Sequence, residues 1–459
     1  MNFRLSLFAA LLFTAAASAA PDAPSLIKQG EYLAVAADCT ACHTTSEQQP
    51  FAGGKAIASP VGEIIATNIT PSKRDGIGNY SEQQFADALR KGVRADGAQL
   101  YPAMPYTAYA TFTDSDIHAL YAYFMQGVMP VDRASPETHL PFPLSIRFSM
   151  RFWNMLFLNP PGYQPDSSRS ASWNRGRYLV EGAAHCSTCH TPRGFLMQEQ
   201  QADAFTGAVV GSWYAPNVTG NPVTGIGSWS QQDLATYLRT GHLAGKAQAA
   251  GSMAEAISHS FQHLTDDDIN AMAEYILSVP DRHAPATGTS RFGQGQPYQN
   301  LSAFRGEAFT TPVADEGARL YSANCASCHG SSGQGSKDGY YPSLFNNSAT
   351  ALAHPQNTIA TILFGVERNT AAGKVFMPPF GTQPNAINSL NDQQVATLSN
   401  WLLQHYGNNT AAVTPEQVAE VRRGGPVSPL VMLAQVGVAG GVVLLLVVLG
   451  VVLYRRRTR

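Results

Sequence analysis

The chain has 459 residues, and its 30 basic and 32 acidic side chains leave a net charge of −2, a balance that speaks against a nucleic-acid partner. Hydrophobic residues make up 44% and charged ones only 14%, against about 25% charged in ordinary soluble proteins. Disorder as the dominant state is excluded, and the scarcity of charge points to a chain that buries itself against something or spends part of its length in lipid.

In chain order, residues 1–20 carry one basic residue, Arg4, then an apolar run through Leu12 and Phe13, then Ala17-Ser18-Ala19 as a cleavage site. This is the pattern of a secretory signal peptide, too short to span a bilayer. A first domain is expected over 24–128, carrying Cys39-Thr40-Ala41-Cys42-His43. A proline-rich, aromatic linker over 129–168 follows. Its apolar stretch, with Phe142, Phe148, Phe152, Trp153 and Leu156, either packs against the flanking domains or forms a docking surface for a partner subunit.

A second domain, 169–281, carries Cys186-Ser187-Thr188-Cys189-His190. A Gly- and Pro-rich linker over 282–303 leads to a third, 304–410, with Cys325-Ala326-Ser327-Cys328-His329. Residues 430–454 then form a 25-residue run without charge, about 37 Å of helix at 1.5 Å per residue and long enough to cross a membrane. The basic tail 455–459, with Arg455, Arg456, Arg457 and Arg459, belongs in the cytoplasm by the positive-inside rule, and everything before Leu430 outside it. Gly437 and Gly441 have the spacing of a helix-packing pair. Both ends therefore agree on an exported chain, anchored at its C-terminus with everything before Leu430 outside the cytoplasm.

The six cysteines are used up by three C-x-x-C-H motifs, the attachment pattern of c-type haem. For any one cysteine, composition alone would supply the rest of the motif roughly three times in ten thousand. On a helical turn, residues i and i+3 face the same way, so both thiols reach the two vinyl groups of one porphyrin while the adjacent histidine meets the iron. Zinc sites would need the C-x-x-C units to pair in fours, which three units cannot do. Disulfides would leave the three histidines unexplained.

An internal repeat supplies the sixth ligands. Asn68-Ile69-Thr70, Gly76-Ile77-Gly78, Ser81, Leu89-Arg90 and Gly92 recur 149 residues later as Asn217-Val218-Thr219, Gly225-Ile226-Gly227, Ser230, Leu238-Arg239 and Gly241. The same offset maps Met104 onto Met253, and the 12-residue gap from Gly92 to Met104 recurs from Gly365 to Met377. Prolines beside Met104 and Met377 stiffen a ligand loop; Met253 lacks one, so His259 and His263 stand as alternatives there. Each methionine leads into an amphipathic helix, expected over Asp114 to Phe124, Thr265 to Leu277 and Asn391 to Gln404.

With these motifs and its C-terminal anchor, the chain from about Leu26 to Tyr406 resembles the triheme cytochrome c subunit of bacterial membrane-bound dehydrogenases for alcohol, gluconate or aldehydes. The resemblance implies a mainly α fold, three tandem class I cytochrome c domains plus a C-terminal transmembrane helix. It implies three covalently bound haems c: Cys39, Cys42, His43 and Met104 for the first, Cys186, Cys189, His190 and Met253 for the second, Cys325, Cys328, His329 and Met377 for the third. In that family the subunit takes electrons from a catalytic subunit, which bears a quinone, flavin or molybdenum cofactor, and delivers them to ubiquinone or a later carrier.

The residues alone also lead to electron transfer. His/Met ligation leaves iron no open position for a substrate, no Rossmann fingerprint or H-E-x-x-H is present, and Gly333 and Gly335 lack the third glycine of a dinucleotide site. A freestanding membrane cytochrome feeding a terminal oxidase, or a peroxidase whose second haem has lost its sixth ligand, are the other readings.

Overall fold

The computed structural model describes residues 23–281, 283, 287–300, 304 and 315–458. The expected signal peptide lies outside the described residues, as do parts of the second linker. The protein is mainly helical, and one layout recurs three times. In the first segment a helix, Ala23–Ala36, leads into the short attachment helix Cys39–His43. A hairpin follows, Ala56–Ser59 with Gly62–Ile65, then the helix Glu82–Lys91 and the closing helix Asp114–Ala122. The second segment repeats this with Ala171–Tyr178, Ser187–His190, the hairpin Ala208–Val210 with Trp213–Ala215, Gln231–Thr240 and Asp266–Ser278. The third uses Glu316–Asn324, Ala326–His329, Gln356–Phe364 and Asp392–Tyr406.

The closing helices start where the sequence places them because Thr113, Thr265 and Asn391 cap them, each side chain accepting from the backbone N–H three residues on. In every segment the opening helix crosses the closing one at a glycine. A β-carbon built on Gly30 would sit 2.0 Å from Ala119 O, and on Gly176 1.9 Å from Ala271 O. On Gly317 it would meet the Trp401 side chain at 2.5 Å. Only glycine lets the helices approach so closely.

Gly30 precedes Cys39 by nine residues, whereas Gly176 precedes Cys186 by ten. The extra residue is absorbed as a π turn, Leu179–Ala183, inserted between the opening helix and the second attachment site.

The first two segments join reciprocally. Tyr32 of the first donates to Asp268 of the second at 2.6 Å, and Tyr178 of the second, at the matching place after its glycine, donates to Asp116 of the first. Asp268 also accepts a bidentate pair from Arg175 at 2.8 and 2.7 Å. Ser260 Oγ donates to Ala36 O across the same seam. One contiguous core, from Leu33 and Phe112 to Leu179 and Ile269, runs through both segments, while the third has a core of its own around Tyr321, Leu363, Trp401 and Tyr406. The sequence spacing suggests three equal units; burial instead welds the first two into one body.

The aromatic linker is divided. Its helix, Ser149–Phe157, turns Met150, Trp153 and Phe157 inward, with Trp153 Nε1 donating to Leu196 O at 2.9 Å and Tyr106 Oη donating to Asn154 Oδ1 at 2.7 Å. Its outer face keeps Phe152 57%, Met155 74% and Leu156 64% exposed, so packing against the flanking segments accounts for only half of this stretch.

The C-terminal helix, Leu430–Arg457, is long and apolar enough to cross a membrane and extends through the first arginines of the tail. Near its start, Gln435 donates to Phe142 O of the aromatic linker at 3.0 Å. Among the described residues nothing lies within 4 Å of a β-carbon on Gly437 or Gly441.

Candidate haem sites

Each C-x-x-C-H histidine ends a short helix and is fixed by one pattern of bonds. His43 Nδ1 lies 2.6 Å from Thr67 O, His190 Nδ1 2.7 Å from Pro216 O, and His329 Nδ1 2.9 Å from Pro342 O. A carbonyl only accepts, so in all three rings the proton sits on Nδ1 and the lone pair on Nε2. Burial pushes all three imidazoles below their ordinary pKa and keeps them neutral. Nε2 has no hydrogen-bond partner among the described residues, as a ring oriented towards a metal requires. A glycine N–H also meets the carbonyl of each histidine at 2.8 Å, from Gly53, Gly207 and Gly335.

The repeated sequence motifs hold the accepting carbonyls. Asn68 follows Thr67, and its Oδ1 accepts from Thr70 N at 2.9 Å and Thr70 Oγ1 at 2.7 Å; Asn217, after Pro216, does the same with Thr219 at 2.9 and 2.7 Å. The G-I-G glycines let the chain close over these threonines, since a β-carbon on Gly76 would meet Thr70 O at 2.2 Å and one on Gly225 would meet Thr219 O at 2.3 Å. In the third segment Ser343 takes the place of asparagine, its Oγ accepting from Phe345 N at 3.2 Å. Gly333 and Gly335 are turn residues here, with φ of +74° and +71°.

None of the six cysteines forms a disulfide, and among the described residues no three His, Cys, Asp or Glu side chains gather as a metal cluster. Burial pushes the Cys39, Cys186 and Cys325 thiols up to about 12, so they are neutral. The Cys42 and Cys189 thiols lie within electrostatic range of one another, so the first two attachment turns come close together across the seam. Buried donors without a partner among the described residues remain nearby, including Trp229 Nε1 and the Nε atoms of Arg291 and Arg368. Paired thiols on one helical turn, oriented histidines and unsatisfied buried donors fit covalently held haem and fit neither zinc nor disulfide chemistry.

A cytochrome c family model matches residues 174–280 and 314–405. The fructose dehydrogenase cytochrome subunit of Gluconobacter japonicus is 51% identical over 419 residues, covering 90% of this chain and 86% of that protein. The cytochrome c subunit of the quinone alcohol dehydrogenase of Gluconobacter oxydans (strain 621H) is 39% identical over 88% of this chain and 84% of its own length. The gluconate 2-dehydrogenase cytochrome c subunit of Pantoea cypripedii is 39% identical over 87% and 90%. This chain belongs to the family of dehydrogenase cytochrome c subunits. It is an electron-transfer subunit rather than a catalytic one, and family membership brings covalently bound haem c.

Within this cytochrome c subunit the three methionines have unlike supports. Met104 lies in a turn, its N–H donating to Tyr101 O, ahead of the helix Tyr106–Tyr109. Met377 ends the strand Gly373–Met377 and pairs with Val366, so the expected loop is a hairpin there. Met253 stands in the first turn of the helix Gly251–His259; Ala-Glu-Ala-Ile follows it where the others have proline, and these residues favour helix. All three are half-buried against the cores. His259 and His263 are both exposed, and His263 Nε2 lies 3.2 Å from Ser258 O. His185, at φ +38°, sets its ring edge-on to Tyr109 at 5.8 Å in the seam between segments.

Several contributors escape motif reading. The accepting carbonyls of Thr67, Pro216 and Pro342 are backbone atoms, and Arg368, between Gly365 and Met377, is not itself part of a repeated motif. The crossing glycines and seam tyrosines do leave a trace, Gly30-Glu31-Tyr32-Leu33 against Gly176-Arg177-Tyr178-Leu179.

Proposed function

We propose that this subunit binds three haems c and carries electrons from a dehydrogenase catalytic subunit to ubiquinone or a downstream carrier. The haems are held through Cys39 and Cys42, Cys186 and Cys189, and Cys325 and Cys328. The observation that carries this is the threefold recurrence of one geometry, a C-x-x-C-H turn whose histidine Nδ1 is committed to a backbone carbonyl. Met104, Met253 and Met377 are the sixth ligands in this reading. Their support is the constant spacing in sequence, their half-buried positions against the cores, and the exposure of the competing histidines.

A c-type haem supplies a reversible one-electron iron couple. The chain's part is to keep each histidine neutral and aimed, to hold the thiols in register, and to surround the sites with packed apolar side chains that exclude water. Leu430–Arg457 anchors the chain in the inner membrane with its haem-bearing segments in the periplasm and Arg455, Arg456 and Arg457 in the cytoplasm.

Identity is higher to the fructose dehydrogenase relative, 51%, than to the alcohol and gluconate relatives, 39% each, so a ketose is the first substrate to test. Isolated from its own membranes with its partners, the protein is expected to show reduction of its haem band on adding D-fructose, with ethanol or gluconate next. A chain that purifies alone and is reduced only by quinol would overturn the dehydrogenase assignment in favour of a freestanding carrier.

A further inference from the structure

Two arginines of the second segment's surroundings are buried and form no ion pair with an acid among the described residues. Arg291 is 6% and Arg368 2% exposed. The carboxylates around them are engaged with other groups: Asp281, in the same cavity as Arg291, accepts from Asn217 Nδ2 at 2.7 Å, Glu199 pairs with Arg193, Asp233 with Lys246 and Asp203 with His283. Arg291 Nη2 donates to Asn217 O at 3.0 Å, beside the carbonyl that holds His190. Arg368 comes from the third segment, on the strand Val366–Thr370. It donates to Ala249 O and Gln248 Oε1 of the second at 2.8 Å each, with its stem over Gly241, where a β-carbon would lie 2.4 Å from Cδ.

These groups converge. Tyr237 feels the charge of both arginines. Its ring is 5.4 Å from that of Trp229, which is 5.2 Å from Phe292, and the Arg291 guanidinium lies 4.8 Å from the Phe292 ring. Trp229 Nε1, Arg291 Nε and Arg368 Nε are buried with no acceptor among the described residues. Burial lowers the pKa of both arginines, Arg291 to about 10, as expected of cations without a counter-ion. Two uncompensated buried cations cost several kcal/mol each. The site therefore calls for two negative charges and acceptors for an indole N–H and two guanidinium Nε–H groups.

We propose that Arg291 and Arg368 neutralise the two propionates of the haem held by Cys186, Cys189 and His190, with Trp229 Nε1 as a further donor. The inference rests on the haem reading above and adds that this haem's site is completed by the third segment. The strand bearing Arg368 pairs with the strand that ends in Met377, so one hairpin serves two haem sites. Positive charge beside a haem opposes its oxidised, more positive state and raises its potential.

The test is a potentiometric titration of the full-length protein in its complex. The wave of the second haem is assigned as the one missing in the Cys186→Ala/Cys189→Ala variant. Arg368→Gln and Arg291→Gln are each expected to shift that haem's oxidised-to-reduced ratio about tenfold towards oxidised, about 59 mV for one electron, and to leave the other two waves in place. Arg368→Lys should restore most of the shift. A second wave that stays put overturns the proposal, as does movement only of the haem on Cys325 and Cys328, which is what an arginine that merely pins its own hairpin would give.

Should a glutamine variant fail to load haem, redox-difference infrared spectra of Arg368→Lys and Arg291→Lys decide. Losing the guanidinium fork must change the propionate carboxylate band, and an unchanged band overturns the proposal. Peptide masses showing no haem on Cys186 and Cys189 in the unmodified chain would instead sink the haem reading itself.

Discussion

The first two segments and the third hold their histidines in the same way yet associate by different rules. Segments one and two exchange matched contacts, Tyr32 to Asp268 and Tyr178 to Asp116, as subunits of a symmetric dimer do. They share one core. At the place of those tyrosines the third segment has Arg319, which pairs locally with Glu316, and it joins the second segment through an inserted hairpin and Arg368. A repeat copied along one chain can thus form one symmetric pair, and a third copy must attach by new contacts. The arrangement sets two attachment turns close together and leaves the third on a separately packed body.

The largest effect expected is loss of a haem. His43→Ala should impair haem incorporation in the first segment and, through the shared core, destabilise the second, whereas His329→Ala should cost only the third haem; haem content per segment, read by peptide mass, checks both. Met377→Ala should turn one haem of three high-spin and lower its potential, seen in the absorption spectrum and by titration. If all three haems stay low-spin, the spacing argument is wrong for that segment.

Backbone crowding comes next. Gly30→Ala and Gly176→Ala drive a methyl group into a backbone carbonyl and should cost about 1–3 kcal/mol or more. Gly317→Ala meets only the Trp401 side chain, which can shift, and should cost less. Chemical denaturation of the three variants ranks them.

The seam offers a pH test. Burial alone would raise the Asp268 carboxyl, but the hydrogen bonds from Arg175 and Tyr32 hold it below its usual value. Its contribution is therefore present above the unfolded pKa of about 4 and lost as pH falls through the lower folded value. Asp268→Asn should cost about 1–3 kcal/mol at neutral pH and flatten this acid limb for the first two segments while leaving the third unchanged. The smallest effect is expected at the bare face of the aromatic helix. Phe152→Ser with Leu156→Ser should alter stability by no more than about 0.5 kcal/mol each, yet reduce co-purification if a partner subunit covers that face.

Much of this was legible because haem attachment compresses chemistry into five residues. C-x-x-C-H named the histidines, and the 149-residue repeat named the asparagine and glycine motifs that clamp their accepting carbonyls. Helix limits followed from caps and periodicity to within about two residues, the closing helices being Asp114–Ala122, Asp266–Ser278 and Asp392–Tyr406. What motif spacing cannot carry is partnership between distant residues. Tyr32 and Asp268 lie 236 positions apart, and Arg368 acts on a segment other than its own. The π turn at Leu179–Ala183 takes up the one extra residue between Gly176 and Cys186, and where a helix absorbs an insertion is decided by the crossing at Gly176 and the attachment turn after it.

The central claim is that three haems sit on three C-x-x-C-H turns of one electron-transferring chain. The most direct measurement is haem stoichiometry by alkaline pyridine spectrum together with mass mapping of the three cysteine-bearing peptides. Three haems per chain, one on each peptide, is the predicted result. Two haems, or an unmodified peptide at Cys39 and Cys42, Cys186 and Cys189, or Cys325 and Cys328, would contradict it.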